Sequence, residues 1–219
     1  MKTSSATVVG LCGCSAVGKS TLVANVQQFA KSTAYICCDD YYLPKSDCPT
    51  FELSQLPWPS GSTPSVFSER GNHDLNSPAA LDWRRLCDDI GSLKSGSDSG
   101  ATDAILVDGL LLFSSHQGAR ELLSLCDHTA VIWVDEEDEP TITEIFNRKF
   151  RRSNHLGKPS YSERGVTVEE YTAYFYGYVW PRWVEHGSSR VPDSTLRIDA
   201  RKPIEQQVEL LMSTGWFPR

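Results

Sequence analysis

The run Gly13-Cys14-Ser15-Ala16-Val17-Gly18-Lys19-Ser20 has the spacing G-x-x-x-x-G-K-S. Glycines so placed let the backbone curl until successive N–H groups, and the N-terminus of a following helix, face an anion. The lysine then reaches the outermost phosphates, and the hydroxyl after it can ligate a divalent cation. Gly13, Ser15, Ala16, Val17, Gly18, Lys19, Ser20 and Thr21 are therefore the expected ATP-binding residues, with Lys19 acting on the transferring phosphate and Ser20 on Mg²⁺. A second metal-facing group is Asp108, which closes the apolar run Ala104 to Val107 as acids close buried strands in phosphate-loop proteins. Asp39 and Asp40 end another short apolar run, and a carboxylate there can accept or align the proton of an attacking hydroxyl. Strand neighbours point to opposite faces, so one of the two is expected to face a substrate. Arg148, Lys149, Arg151 and Arg152 crowd one helical segment, from which cations can close over a phosphoryl group and exclude water.

The elements around these residues follow from hydrophobic period and punctuation. Ala6 to Leu11 reads as a strand, Lys19 to Lys31 as a helix through Leu22, Val23, Val26 and Phe29, and Ala34 to Cys38 as a second strand. Cys48 to Gly71, with Pro49, Pro57, Pro59 and Pro64, reads as an irregular surface loop of the kind that carries substrate. Ser77 and Pro78 signal a helix start, with Leu81, Leu86 and Ile90 following, and a flexible tract is expected from Ser95 to Gly100. Further strands are expected at Ala104 to Val107, Ala130 to Val134 and Thr195 to Ile198. The basic helix lies beyond Thr143, a polar loop spans Ser153 to Gly165, an aromatic block runs from Tyr171 to Trp183, and a last helix covers Ile204 to Met212. Strands alternating with helices imply a doubly wound α/β fold: a five-stranded parallel sheet, helices on both faces, and a lid at 143–170.

A chain of 219 residues with 40% hydrophobic content suits a single domain spanning 1–219, with the 48–71 insert appended. The formal net charge of -7 counts against a nucleic-acid binder, which needs an excess of Lys and Arg along a phosphate backbone. The sequence shows neither a long apolar run nor a signal-peptide pattern, so a cytoplasmic protein without membrane association is expected, as a monomer or homodimer. Seven cysteines without metal-ligand spacing read as reduced structural thiols. The NKxD tetrad that reads guanine is absent, which disfavours a GTPase switch. A small-molecule kinase and a non-catalytic nucleotide-binding protein both remain open on these residues alone.

Four further segments, in order along most of the chain, carry a family resemblance. They are DDYYLP at Asp39 to Pro44, Asn72-His73-Asp74 followed by SPAALDW, VDGLLLF at Val107 to Phe113, and YGYVWP at Tyr176 to Pro181. With the phosphate loop they resemble the nicotinamide riboside kinases, relatives of uridine kinase among the P-loop, nucleoside-monophosphate-kinase-like small-molecule kinases. The resemblance implies phosphorylation of the ribose 5′-hydroxyl of nicotinamide riboside, or nicotinic acid riboside, with ATP and Mg²⁺, feeding NAD synthesis. It implies Asp39 as catalytic base and Asp74 as the grip on ribose hydroxyls. Asp108 stands in place of the family's usual Glu near the metal, and Arg148, Arg151 and Arg152 fall in the arginine-bearing lid, Arg148 and Arg152 as catalytic cations and Arg151 toward substrate. Tyr41, Tyr42 and His73, the last where the family commonly has Tyr, are available to flank a planar pyridinium. Uridine, cytidine and pantothenate are the alternative acceptors.

Overall fold

The computed structural model describes residues 5–68, 71–96, 102–152 and 159–217. Parts of the expected 95–100 tract and 153–165 loop, and of the 48–71 insert, lie outside these residues.

Five strands, β1 (Thr7–Cys12), β2 (Thr33–Cys37), β3 (Ala104–Gly109), β4 (His128–Trp133) and β5 (Leu196–Asp199), form one parallel sheet in the order β2-β3-β1-β4-β5. β3 is buried at every position, as a strand covered on both faces must be. Helix α1 (Lys19–Phe29) links β1 to β2. After it come a short turn α2 (Ser65–Ser68), α3 (Trp83–Lys94) before β3, and α4 (Gln117–Leu125) before β4. The chain moves one way across the sheet through α1 and the other way through α3 and α4. Right-handed crossovers therefore put α1 on one face and α3 and α4 on the other. Between β4 and β5 lie α5 (Glu139–Arg151), α6 (Val168–Tyr174), a π-helical turn at Phe175–Val179 and α7 (Trp180–His186). The last helix, α8 (Ile204–Ser213), packs beside α1. No helix among the described residues is long and apolar enough to cross a membrane.

Two expectations change in detail. The helix signalled at Ser77 is split: Ser77 caps a short 3-10 turn at Pro78–Ala80, and α3 begins at Trp83 under an Asp82 cap. Leu81 stays extended between them because it bridges Tyr42, which ties the DDYYLP segment to the body of the fold. The proline-rich insert is irregular as expected, yet it does not lie loosely on the surface. Leu53, Leu56, Trp58 and Phe67 are buried, and Phe67 packs against Trp58, Tyr161 and Tyr174. Tyr161 in turn meets Tyr171, which meets Phe146 and Phe150 of α5, so the insert and the lid region share one aromatic core.

Candidate active site

β1 delivers the chain into the Gly13–Ser20 loop at its C-terminal end, and two residues turn left-handed there, Ala16 at φ 66° and Gly18 at φ 117°. For Ala16 that conformation costs roughly 1 kcal/mol, a local strain of the sort found where backbone N–H groups are aimed at a ligand. Gly13 is required by contact: a Cβ there would lie 2.9 Å from Val17 Cγ1. Lys19 folds back over the loop, donating to the carbonyls of Gly13 at 3.0 Å and Cys14 at 3.2 Å. Those carbonyls hold the ammonium where outer phosphates would replace them as partners. Ser15, Ala16 and Gly18 are half-buried, Val17 is buried, and Ser20 and Thr21 are exposed at the start of α1. Burial pushes the neighbouring thiols Cys12 and Cys14 up to about 12, so they are neutral packing groups rather than nucleophiles.

The acids converge from adjacent strands. Asp108 of β3 sits in register between Leu11 of β1 and Cys37 of β2, only 2% exposed. Burial raises its carboxyl above the usual range against the opposing pull of Lys19, and the charge of Asp39 is close enough to raise it further. Asp39 lies in a 3-10 turn, Cys38–Tyr41, that follows β2, and both it and Asp40 are exposed. Burial, then the negative charge of Asp39, raise the pKa of the half-buried Tyr42. Ser20, Lys19, Asp108 and Asp39 thus share one end of the sheet. A hydroxyl and one or two carboxylates form a hard-oxygen set that suits Mg²⁺, which keeps several waters and takes its other ligands from phosphates. No cluster of three or more His, Cys, Asp or Glu side chains that could cage a metal occurs among the described residues.

The basic helix resolves into distinct roles. Arg148 pairs with Glu144 on the solvent side of α5, and Arg151 and Arg152 are exposed at its end. Lys149 points inward and donates to Ser15 Oγ of the phosphate loop, where its charge also reaches Cys14. The signal for Lys149 was helical period: Ile142, Ile145 and Phe146 are buried, and position 149 continues their stripe, whereas 148 continues that of exposed Glu144.

Asp74 is brought near this site by a different route. Residues 49–51 run antiparallel to 72–74, with a bridge between Thr50 and His73 and an Asp74 N–H bond to the Pro49 carbonyl at 2.7 Å. The Asp74 carboxylate is buried and engaged at both oxygens, accepting from Tyr178 Oη at 2.8 Å and from Arg182 at 2.6 Å. Tyr178 packs against Phe51 in a tilted arrangement, their centroids 4.4 Å apart. Tyr178 and Arg182 were not among the site residues expected from the sequence, where Tyr178 stands within the aromatic block. The only hint was the recurrence of 174, 178 and 182 at four-residue intervals across the π-helical turn. His73 packs its ring against Gly71, and its buried Nδ1 has no partner among the described residues.

Fold and site together define a P-loop α/β protein with the fold of the small-molecule kinases. Its sequence matches no family model and no curated protein. By structure the chain is similar to a Silicibacter sp. TM1040 protein named as a fructose transport system kinase, with a TM-score of 0.58 and 15% identity over 88% of this chain and 89% of that one. It is also similar to a sugar kinase from Janibacter sp. HTCC2649, TM-score 0.55 and 15% identity over 98% and 99%. A gluconokinase from Sinorhizobium meliloti 1021 aligns with a TM-score of 0.53 and 12% identity over 96% and 91%. At such identities the likeness establishes the fold.

Proposed function

We propose that the chain is an ATP-dependent kinase that phosphorylates a hydroxyl of a small polyhydroxylated molecule in the cytoplasm. The observation that carries this reading is the meeting, at one sheet end, of a phosphate-loop lysine, a buried strand-end acid and an exposed carboxylate on the neighbouring turn. Lys19 and Lys149 would bear the charge on the outer phosphates from two sides of the loop. Ser20 and Asp108 would hold Mg²⁺, which supplies charge neutralisation on the transferring group. Asp39 would accept or align the proton of the acceptor hydroxyl, with Tyr42 steadying the carboxylate. Arg148, Arg151 and Arg152 stand at the solvent side and would act only after closure of the lid.

The finer reading is transfer to the ribose 5′-hydroxyl of nicotinamide riboside or nicotinic acid riboside. It is supported by the four matching segments, and by the phenols and carboxylates beside Asp39, which suit a planar cationic ring. On this reading Asp74 acts on the ribose through Tyr178 and Arg182, because its own oxygens are taken. A sugar or sugar-acid acceptor is the second reading, favoured by the likeness to sugar and gluconate kinases. The test is ADP release from MgATP with nicotinamide riboside, nicotinic acid riboside, uridine, cytidine, pantothenate, fructose and gluconate, with products identified by mass spectrometry. Turnover confined to the two pyridine ribosides supports the finer reading, and turnover on another acceptor keeps the kinase and replaces its substrate. Absence of turnover on every acceptor, or full activity in Asp39→Asn, would sink the proposed chemistry, since a positioned base is worth about 10²- to 10⁴-fold.

A further inference from the structure

The turn that carries Asp39 is anchored by a side chain that the proposed chemistry leaves unused. Asp39 and Tyr41 share the 3-10 turn Cys38–Tyr41, in which Asp39 is exposed and Tyr41 is buried. At the entry of the turn Cys38 packs on β3, so closely that a Cβ on Gly109 would lie 2.8 Å from its Sγ. At the exit the Asp82 N–H donates to the Tyr41 carbonyl at 2.8 Å and the Leu43 N–H to the Ala80 carbonyl at 2.9 Å, which stitches the chain to the start of α3. The Tyr41 side chain then runs along α3. Its hydroxyl donates to Asp89 Oδ2 at 2.8 Å, and the Arg85 guanidinium lies over its ring, 4.7 Å from the centroid. Arg85 and Asp89 are neighbours on one face of α3, so a single helix face holds both the ring and the hydroxyl. Burial, then the bond to Asp89, push the phenol's pKa up to about 12, which keeps it a donor at neutral pH. The sequence offers Tyr41 beside Tyr42 as a wall for a planar acceptor; the structure commits it to α3 instead.

We propose that Tyr41 is a positioning residue for the acceptor chemistry, a strut between the Asp39 turn and α3 that fixes where the carboxylate meets the attacking hydroxyl. This rests on the reading of Asp39 as the group that accepts or aligns that proton. The position of an exposed carboxylate is set first by the backbone that carries it, and a general base must come within about 2.6–3.2 Å of the group it deprotonates. A hydrogen bond to an ionised acceptor is about twice as strong as a neutral one, so the Tyr41–Asp89 bond is a firm anchor even at an open helix face. The buried ring passes that restraint to the backbone two residues from Asp39. The phosphate loop takes no part in it, because Lys19 is held by the loop's own carbonyls.

Tyr41→Phe keeps the ring under Arg85 and deletes the hydroxyl. With MgATP and whichever acceptor named above turns over, kcat should fall about tenfold, since a misplacement of about 1 Å costs up to about 10²-fold, while KM and MgADP affinity stay unchanged. Asp89→Ala, at an exposed helix position, leaves the core intact and should give the same loss. Asp89→Asn, whose amide oxygen still accepts from the phenol, should keep most of the rate. Asp39→Asn supplies the discriminating background: there Tyr41→Phe should cost nothing further, because the strut has no base left to place. A repeated tenfold loss in that background makes Tyr41 a general support of the fold and overturns the inference. An unchanged kcat in Tyr41→Phe, or a rise in KM alone, overturns it as well and leaves the reading of Asp39 intact. Full activity in Asp39→Asn removes the base itself, and a wild-type chain inert on every acceptor removes the reaction; either takes this inference with it.

Discussion

The phosphate loop and the Asp74 cluster, proposed above as the phosphate and acceptor parts of the site, are assembled over very different chain lengths. Lys19 is anchored on carbonyls six and five residues away, Gly13 and Cys14. Asp74 is anchored on side chains 104 and 108 residues away, Tyr178 and Arg182. The first part is a backbone shape that any strand-loop-helix of the right sequence adopts. The second exists only when the proline-rich insert and the aromatic helices have folded onto each other. The phosphate part should therefore lose function without losing stability when altered, and the acceptor part should lose both together.

The sharpest break between the two comes at Lys19. Lys19→Ala removes a half-buried ammonium whose hydrogen-bond partners among the described residues are loop carbonyls, so its thermal midpoint should stay within a degree or two of wild type. Affinity for MgATP should nevertheless fall by about 10²-fold or more, the scale seen when a preorganised charge-stabilising donor is deleted. Calorimetric titration beside a melting scan checks both halves. A large drop in the midpoint would mean that the loop is as dependent on tertiary support as the acceptor side.

Asp74→Ala should behave in the opposite way. Removing the buried carboxylate leaves Arg182 and the Tyr178 hydroxyl without their partner in the aromatic core, and breaking a buried pair costs about 3–5 kcal/mol. The Arg182 side chain is partly solvated and keeps Glu185 as a partner at 2.8 Å, so a value near the low end, about 3 kcal/mol, is expected from urea unfolding. MgADP affinity of the fraction that stays folded should be close to wild type. A loss under about 1 kcal/mol would show that the insert and the aromatic helices are held without this link.

The same contrast decided what could be read in advance. The parallel sheet, its helices and the phosphate loop follow from short-range patterns: β-branched runs, helical period and a fixed glycine spacing, each complete within a few residues. Asp108 was legible because a strand buried on both faces is apolar until its last positions, so an acid there stands out. The partners of Asp74 were not, because the residue that fixes its orientation, Tyr178, looks in sequence like one more member of an aromatic block. The inward turn of Lys149 was available from helical period, although the three arginines beside it on the solvent side of α5 carry the same charge. The packing of Phe67 against Tyr161 and Tyr174 left no local trace, since prolines and serines around it describe a loop regardless of what its few apolar residues touch.

Gly177 offers the mildest and most selective way to separate the two parts. It lies in the π-helical turn, and a Cβ built on it would come 2.7 Å from Leu56 Cδ2 of the insert, with Pro57 Cδ next at 3.8 Å. The π-turn itself carries Tyr178 and sets the register of α7, which carries Arg182, so that both meet Asp74, and the bare glycine lets the insert approach that turn closely. In Gly177→Ala the clash falls on the end of a leucine side chain, which can yield, so the cost should be about 1 kcal/mol, the lower limit for overpacking. That small displacement is directed at the seam between insert and helix, so KM for the acceptor should rise several-fold while MgADP affinity stays unchanged. The second-site change Leu56→Ala supplies the control: it removes the obstructing methyl, so Gly177→Ala added to it should cost almost nothing further in stability. If the added cost remains at about 1 kcal/mol, the glycine matters for the conformation of the turn rather than for the approach of the insert. The acceptor side would then owe its shape to the helix alone.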